Sequence, residues 1–179
     1  MDNYYELTFP TYFSREFTLN VENVCFSLIT QETNHIWYSS PNHTIKHFHS
    51  CYELFFCEKG KMYIDLDDGK VVLNENEFII ISPKVSHSTI SNRENSSVIQ
   101  LYFNISSNGL KGDLNLYDIV FNLLSEKYMV VSDAAIIGPS VKMIETAREE
   151  VDILSMSFSV LYFLTKLVEL ELNLSNNCY

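Results

Sequence analysis

The residues best suited to chemistry lie in one short stretch, His47-Phe48-His49-Ser50-Cys51-Tyr52-Glu53, with a glycine at Gly60. The spacing is H-x-H-x3-E-x6-G. A further imidazole, His87, follows Pro83 at the end of an apolar run. Imidazole and carboxylate together suit first-row divalent metals such as zinc, iron, manganese or nickel. Two residues apart on an extended segment, His47 and His49 point to the same side. Glu53 is six residues from His47, and one straight strand would separate them by about 20 Å. The chain must therefore turn between His49 and Glu53, where Ser50 can assist. His47, His49, Glu53 and His87 are expected to converge in one cavity. One reading makes them a divalent transition-metal site. The other, the primary expectation, has no resident cofactor and uses the four groups to hydrogen-bond a small effector or each other. Trp37, Tyr38, Phe55, Tyr63 and Tyr102 are candidates for the aromatic wall of that pocket, or else ordinary core. Cys51 and Cys57 share the parity of Glu53 and are expected to be small buried hydrophobes.

The elements that position these residues change character near Gly109. Before it, short apolar and aromatic runs alternate with turn residues, predicting strands at 23–30, 35–39, 52–58, 61–67, 70–73, 77–82 and 97–105. Asp67-Asp68-Gly69 separates two of them and marks a hairpin. In 61–67, Met62, Ile64 and Leu66 share one face, opposite Tyr63 and Asp65; in 97–105, Ile99, Leu101, Phe103 and Ile105 share a face. Many short strands predict a sandwich or barrel. After Gly109 the apolar spacing predicts helices at 114–129, from Gly138-Pro139-Ser140 to Leu154, and at 155–173. The second carries Val141, Ile144, Ala147, Val151 and Leu154 on one stripe. The third carries Leu161, Leu164, Val168 and Leu172 on one stripe, with Phe158, Val160, Phe163, Leu167 and Leu170 elsewhere. Such a helix must be buried on more than one side, and a second subunit is one way to do it.

Composition narrows the partners. The chain has 179 residues and a formal net charge of -11, with no cluster of Lys and Arg. A nucleic-acid surface needs a basic face, so this segment is not expected to touch DNA itself. The cysteines, Cys25, Cys51, Cys57 and Cys178, show no C-x-x-C spacing. The N-terminus is acidic, without the long apolar run of a secretory signal, and no uncharged apolar stretch reaches membrane-spanning length. These features predict a cytoplasmic protein with reduced thiols and no membrane partner.

The phrase from His47 to Gly60 resembles the first motif of the cupin superfamily, although its usual leading glycine falls at Pro41. The second motif fits less closely: Glu77 and Val85 stand at its glycine positions, and His87 comes one residue early after Pro83. That compressed form, the phrase H-x3-E-L-F-F from His49, the strand ending Ile-Ile-Ile-Ser-Pro and the helical tail resemble the N-terminal domain of the AraC/XylS family of transcription regulators. The resemblance covers roughly residues 20–175. It implies a mainly β fold with added helices: a cupin-like jelly-roll barrel over 1–110, then a helical dimerisation segment of the same module over 111–175. It further implies a non-enzymatic, effector-sensing homodimer that reaches DNA only through a C-terminal helix-turn-helix domain, expected to lie beyond this chain. Val151, Leu161, Leu164 and Val168 are the candidate dimer residues. The alternative is a stand-alone metal-dependent cupin enzyme of dioxygenase or isomerase type, in which two His and a carboxylate leave coordination positions open.

Overall fold

Period-two burial dominates the first two thirds of the chain. A computed structural model describes residues 5–6, 16–29, 34–38, 44–91, 96–110, 115–132, 137–150 and 152–176. The strands are β1 (Tyr5–Glu6), β2 (Glu16–Val21), β3 (Val24–Ile29), β4 (Asn34–Tyr38), β5 (His47–Phe48), β6 (Tyr52–Lys59), β7 (Lys61–Leu66), β8 (Gly69–Asn74), β9 (Glu77–Ile81), β10 (His87–Ser91), β11 (Ser96–Ser107) and β12 (Tyr128–Val131). The helices are α1 (Leu116–Leu123), α2 (Gly138–Glu150) and α3 (Ile153–Asn176).

The strands form two sheets. The first has the order β1-β5-β10-β7-β8, and the second β12-β9-β6-β11-β3-β2, with β4 also paired to β11. Between them lies one apolar cluster, made of Phe55, Cys57, Met62, Ile64, Leu66, Leu73, Ile79, Ile81 and Val98. A second cluster lies on the other face of the second sheet. There Phe26, Leu54, Phe56, Ile80, Ile99, Leu101 and Phe103 pack against Val141, Ile144, Val160, Phe163, Leu164 and Leu167 of the helices. Strands β6, β9 and β11 are thus buried on both faces, which is why they read as nearly continuous apolar runs. The architecture is mainly β: a jelly-roll barrel with C-terminal helices.

Met62, Ile64 and Leu66 are buried together as the alternation predicts. Ile99, Leu101 and Phe103 also share a face, and that face meets the helices. Strand β2 was not anticipated, although Phe17, Leu19 and Val21 alternate onto the core with Glu16, Thr18 and Asn20 pointing out. Nor was β10, whose composition, His-Ser-Thr-Ile-Ser, is too polar to read as a strand; pairing with β5 and β7 makes it one.

The helical tail differs from expectation in three places. The helix expected at 114–129 ends at Leu123, and Tyr128–Val131 instead joins the second sheet against β9. Its β-branched valines suit that role. The helix starts at Asn115, whose side chain accepts from the Asp118 N–H at 3.3 Å. Asn23 ties this start to the barrel, donating to the Asn115 side chain at 2.5 Å and accepting from the Tyr117 N–H at 3.0 Å. On α2, Val141, Ile144 and Ala147 are buried as expected, but Leu154 is exposed because the chain breaks at Asp152 and restarts as α3. Asp152 accepts from the Leu154 N–H at 3.0 Å and from the Ser155 hydroxyl at 2.5 Å. On α3 the buried face is Met156, Val160, Phe163, Leu164, Leu167 and Leu170, while Phe158, Leu161, Tyr162 and Leu172 are exposed. The stripe Leu161, Leu164, Val168, Leu172 is therefore not one face toward a partner: Leu164 lies inside this chain's own core. Residues Ile153–Leu174 are long and apolar enough to cross a membrane by length and composition alone, but one side of this helix is the cover of the sheet.

Candidate functional site

Two crossings between the sheets build the site. The chain leaves β5 in the first sheet, turns at Ser50 and Cys51, and enters β6 in the second. It leaves β9 in the second sheet, turns at Pro83-Lys84, and enters β10 in the first. The crossings are tied together, since the Lys84 N–H donates to the His49 carbonyl at 2.7 Å. Lys84 holds a φ of 65°, a left-handed conformation uncommon for a side chain other than Gly, Asn or Asp. His47 and His87 are register partners on β5 and β10. Glu53 projects from β6 opposite Tyr102 of β11.

The structure brings His47, His49, Glu53 and His87 together, with one donor atom from each within 4.8 Å of all the others. The imidazole centroids of His47 lie 4.7 Å from His49 and 4.6 Å from His87. His87 Nε2 is 2.7 Å and His49 Nε2 is 3.4 Å from Glu53 Oε2. Three of the four groups are buried, and His47 is half-buried. His47 Nδ1 lies 2.7 Å from the Ile45 carbonyl and His87 Nδ1 lies 3.0 Å from the Val85 carbonyl. A carbonyl only accepts, so each Nδ1 carries the hydrogen and each Nε2 is the basic nitrogen when the ring is neutral.

The electrostatics follow from burial and the shared carboxylate. Burial alone would raise Glu53, but the hydrogen bond and charge of His87, the charge of His49 and a hydrogen bond from Tyr102 hold it at about 2. Burial pulls His87 down, and the Glu53 hydrogen bond and charge overcome it, so His87 lies above its ordinary value. Burial dominates at His49, which falls to about 4, and at His47, which is also lowered. His87 is therefore the most readily protonated of the four groups when no metal is bound.

These residues fit a divalent ion. Bonds of about 2.0–2.2 Å would place donors at most about 4.4 Å apart, within a few tenths of an ångström of the spread observed. Backbone carbonyls orient His47 and His87 from behind, as the outer partners of metal-ligating histidines do. Glu53 Oε2 and His87 Nε2, 2.7 Å apart, are both buried.

Of the aromatic candidates, Phe55 and Tyr102 reach the site: their rings lie 6.4 Å from His87 and 4.9 Å from His49 respectively. Tyr63 does not. It alternates with Met62 and Ile64, so its side chain leaves the interior face. Trp37 and Tyr38 are on β4 opposite Ser97 and Ser96, and their side chains lie outside the described residues, as does Val151. Cys51 and Cys57 are buried free thiols. Burial and the nearby Glu75 and Glu77 push Cys57 up to about 11, so it is a poor nucleophile. The sequence reading missed Gln100, which donates to Glu53 Oε1 and to the Tyr102 hydroxyl, each at 2.5 Å. Its signal was present: a polar residue with the parity of Tyr102, between Val98 and Tyr102 on a strand of otherwise apolar neighbours.

Comparison with known proteins agrees with this architecture. Residues 37–102, which carry all four clustered groups, match the family model of the cupin domain. No curated protein matches the chain. Among solved structures, the AraC-like transcriptional activator CuxR superposes with a TM-score of 0.52 at 9% identity, covering 86% of this chain and 54% of that one. A cupin superfamily protein from Desulfitobacterium hafniense DCB-2 gives a TM-score of 0.36 at 13% identity, covering 55% of this chain and 84% of that one. KdgF from Halomonas sp. gives 0.36 at 13% identity, covering 48% and 73%. The chain has a cupin fold, a jelly-roll barrel with a His/Glu cluster between its sheets and a layer of helices on its outer face.

Proposed function

We propose that this chain is the effector-sensing and dimerising domain of an AraC-type transcription regulator, acting in the cytoplasm and reaching DNA through a helix-turn-helix domain outside these residues. The observation that carries the reading is the extent of the likeness to the AraC-like activator CuxR, which takes in 86% of the chain where the cupin match stops at residue 102. The exposed apolar residues of α3, Phe158, Leu161 and Tyr162, support a homodimer, and the interface is assigned to them in place of the buried Leu164. The small-molecule effector is assigned to the His/Glu cluster, beside Phe55 and Tyr102. The charge of -11 disfavours contact with a phosphate backbone. The test is sedimentation at micromolar concentration together with DNA retardation. A dimer that does not retard DNA is expected. A strict monomer, or specific retardation by these residues alone, refutes the assignment.

A second reading has its own support. The four-donor cluster also suits a metal-dependent cupin enzyme, and in either reading His47, His49, Glu53 and His87 would hold the ion. A bound divalent ion would supply Lewis acidity and open positions for an exogenous ligand. The chain's own groups would fix the ion, with the Ile45 and Val85 carbonyls orienting two rings, Glu53 carrying the counter-charge, and Phe55 and Tyr102 walling off water. Elemental analysis of protein purified without chelator or metal-affinity resin tests for the ion. Stoichiometric metal with turnover of a small organic substrate would favour the enzyme.

A further inference from the structure

Beyond the four clustered groups, β11 sends two polar side chains to the inner face of the barrel, Gln100 and Tyr102. On an antiparallel pair, Tyr102 is the direct partner of Glu53 and Gln100 is its diagonal neighbour. The hydrogen bonds among them have one consistent direction. Carboxylate oxygens only accept, so the Gln100 amide nitrogen must face Glu53. It donates one hydrogen to Glu53 Oε1 and the other to the Tyr102 oxygen. That leaves the Tyr102 hydrogen for Glu53, to which it is also bonded. Glu53 Oε1 is thereby occupied from the β11 side, while Oε2 faces His87 and His49. The two oxygens have been given different work.

From this we infer that Gln100 is a positioning residue: it holds Glu53 Oε1 away from the cluster, so that Glu53 binds an ion through Oε2 alone and leaves coordination room for an exogenous ligand. The inference rests on the metal reading of the cluster. A carboxylate free to rotate can give both oxygens to one ion and fill the place a ligand would take. An amide suits the task because it binds Oε1 without bringing a charge that would compete with the ion for the carboxylate. Tyr102 is the second tether, and its own position is set by the same amide.

The test uses cobalt(II) as the probe on the whole chain, followed by its visible d–d absorption and by competition with a chelator. Wild-type protein should bind one equivalent. Gln100→Met keeps the length of the side chain and removes both donors. It should weaken binding about 10–100-fold and change the position and intensity of the d–d bands as Glu53 turns to two-oxygen binding. Gln100→Leu, of similar bulk but without the N–H groups, should behave likewise and carries the measurement if the Met variant does not fold. Wild-type protein that takes up no cobalt defeats the metal reading, and this inference with it. Wild-type binding with unchanged spectra in both variants defeats the positioning role alone, whether or not affinity falls, because a merely structural loss would leave the coordination as it was.

Discussion

The two faces of the same strands do different things. On β6, Tyr52, Leu54 and Phe56 face the helices while Glu53, Phe55 and Cys57 face the barrel interior. On β11, Ile99, Leu101 and Phe103 face the helices, and Val98, Gln100 and Tyr102 point the other way. The helix side is mainly apolar and close-packed, with the Phe103 ring 5.3 Å from both Phe26 and Tyr52 and 5.8 Å from Phe163. The interior side carries three histidines, a carboxylate and an amide in a small space. A buried ion pair gives back little of what its desolvation costs, so the interior cluster is a poor source of stability. The comparison teaches that the second sheet is anchored from outside, which lets its inner face bear groups chosen for binding.

If that division holds, the largest loss of stability comes from the helix face. Phe103→Ala should cost about 3–5 kcal/mol, read by chemical denaturation, with metal uptake retained in whatever fraction stays folded. A loss below about 1 kcal/mol would mean that the helices are not the anchor.

The next effect tests the interior face. Glu53→Gln removes the charge that holds His87 above its ordinary value, so burial, opposed by the smaller effect of the Val85 carbonyl, prevails and His87 should titrate below 6.5 by NMR of its ring. In the metal-free wild type, His87 should titrate above 6.5 and His49 near 4. The signs for stability follow. The His87 contribution is complete below pH 6.5 and is lost as pH rises through its raised value. The Glu53 contribution is complete above pH 4.5 and is lost as pH falls toward 2. The pair therefore supports the fold most between about pH 4.5 and 6.5. His49 and His47 work the other way, because below pH 6.5 the unfolded chain takes up protons that the buried rings refuse. Identical His87 titrations in wild type and Glu53→Gln would refute the coupling.

The outer side of α3 sharpens the comparison further. Phe158→Glu should leave stability within about 0.5 kcal/mol yet shift sedimentation from dimer to monomer. Leu164→Glu, only two turns along, should unfold the chain, since it buries an unpaired charge. If Phe158→Glu remains dimeric, the interface lies elsewhere. A modest effect is expected at the seam between barrel and helix. Lys142 pairs with Glu58 at 2.7 Å, and Glu58 also accepts from the Ser97 hydroxyl at 2.8 Å. With Lys142 about half exposed, Lys142→Met should cost at most about 1 kcal/mol, and the cost should shrink in high salt.

The sequence by itself determined the strand alternation, the hairpin at Asp67-Asp68, the parity that puts His47 with His49 and Glu53 with Cys57, and the need for a turn between His49 and Glu53. All of these are local, because side-chain direction on a strand repeats every two residues. It did not reveal which face of β11 meets the barrel interior, since a strand buried on both sides shows no contrast between its faces. Nor did it separate the buried from the open side of α3, where apolar residues lie nearly all round and only packing against the sheet selects Val160, Phe163, Leu164 and Leu167. Strand β10 and the end of α1 were decided by pairing partners distant in the chain, which override local propensity. Gln100 stood out as a polar residue on an apolar strand, but its role did not. Its importance is a contact with Glu53, 47 residues away, and only the tertiary structure brings the two strands side by side.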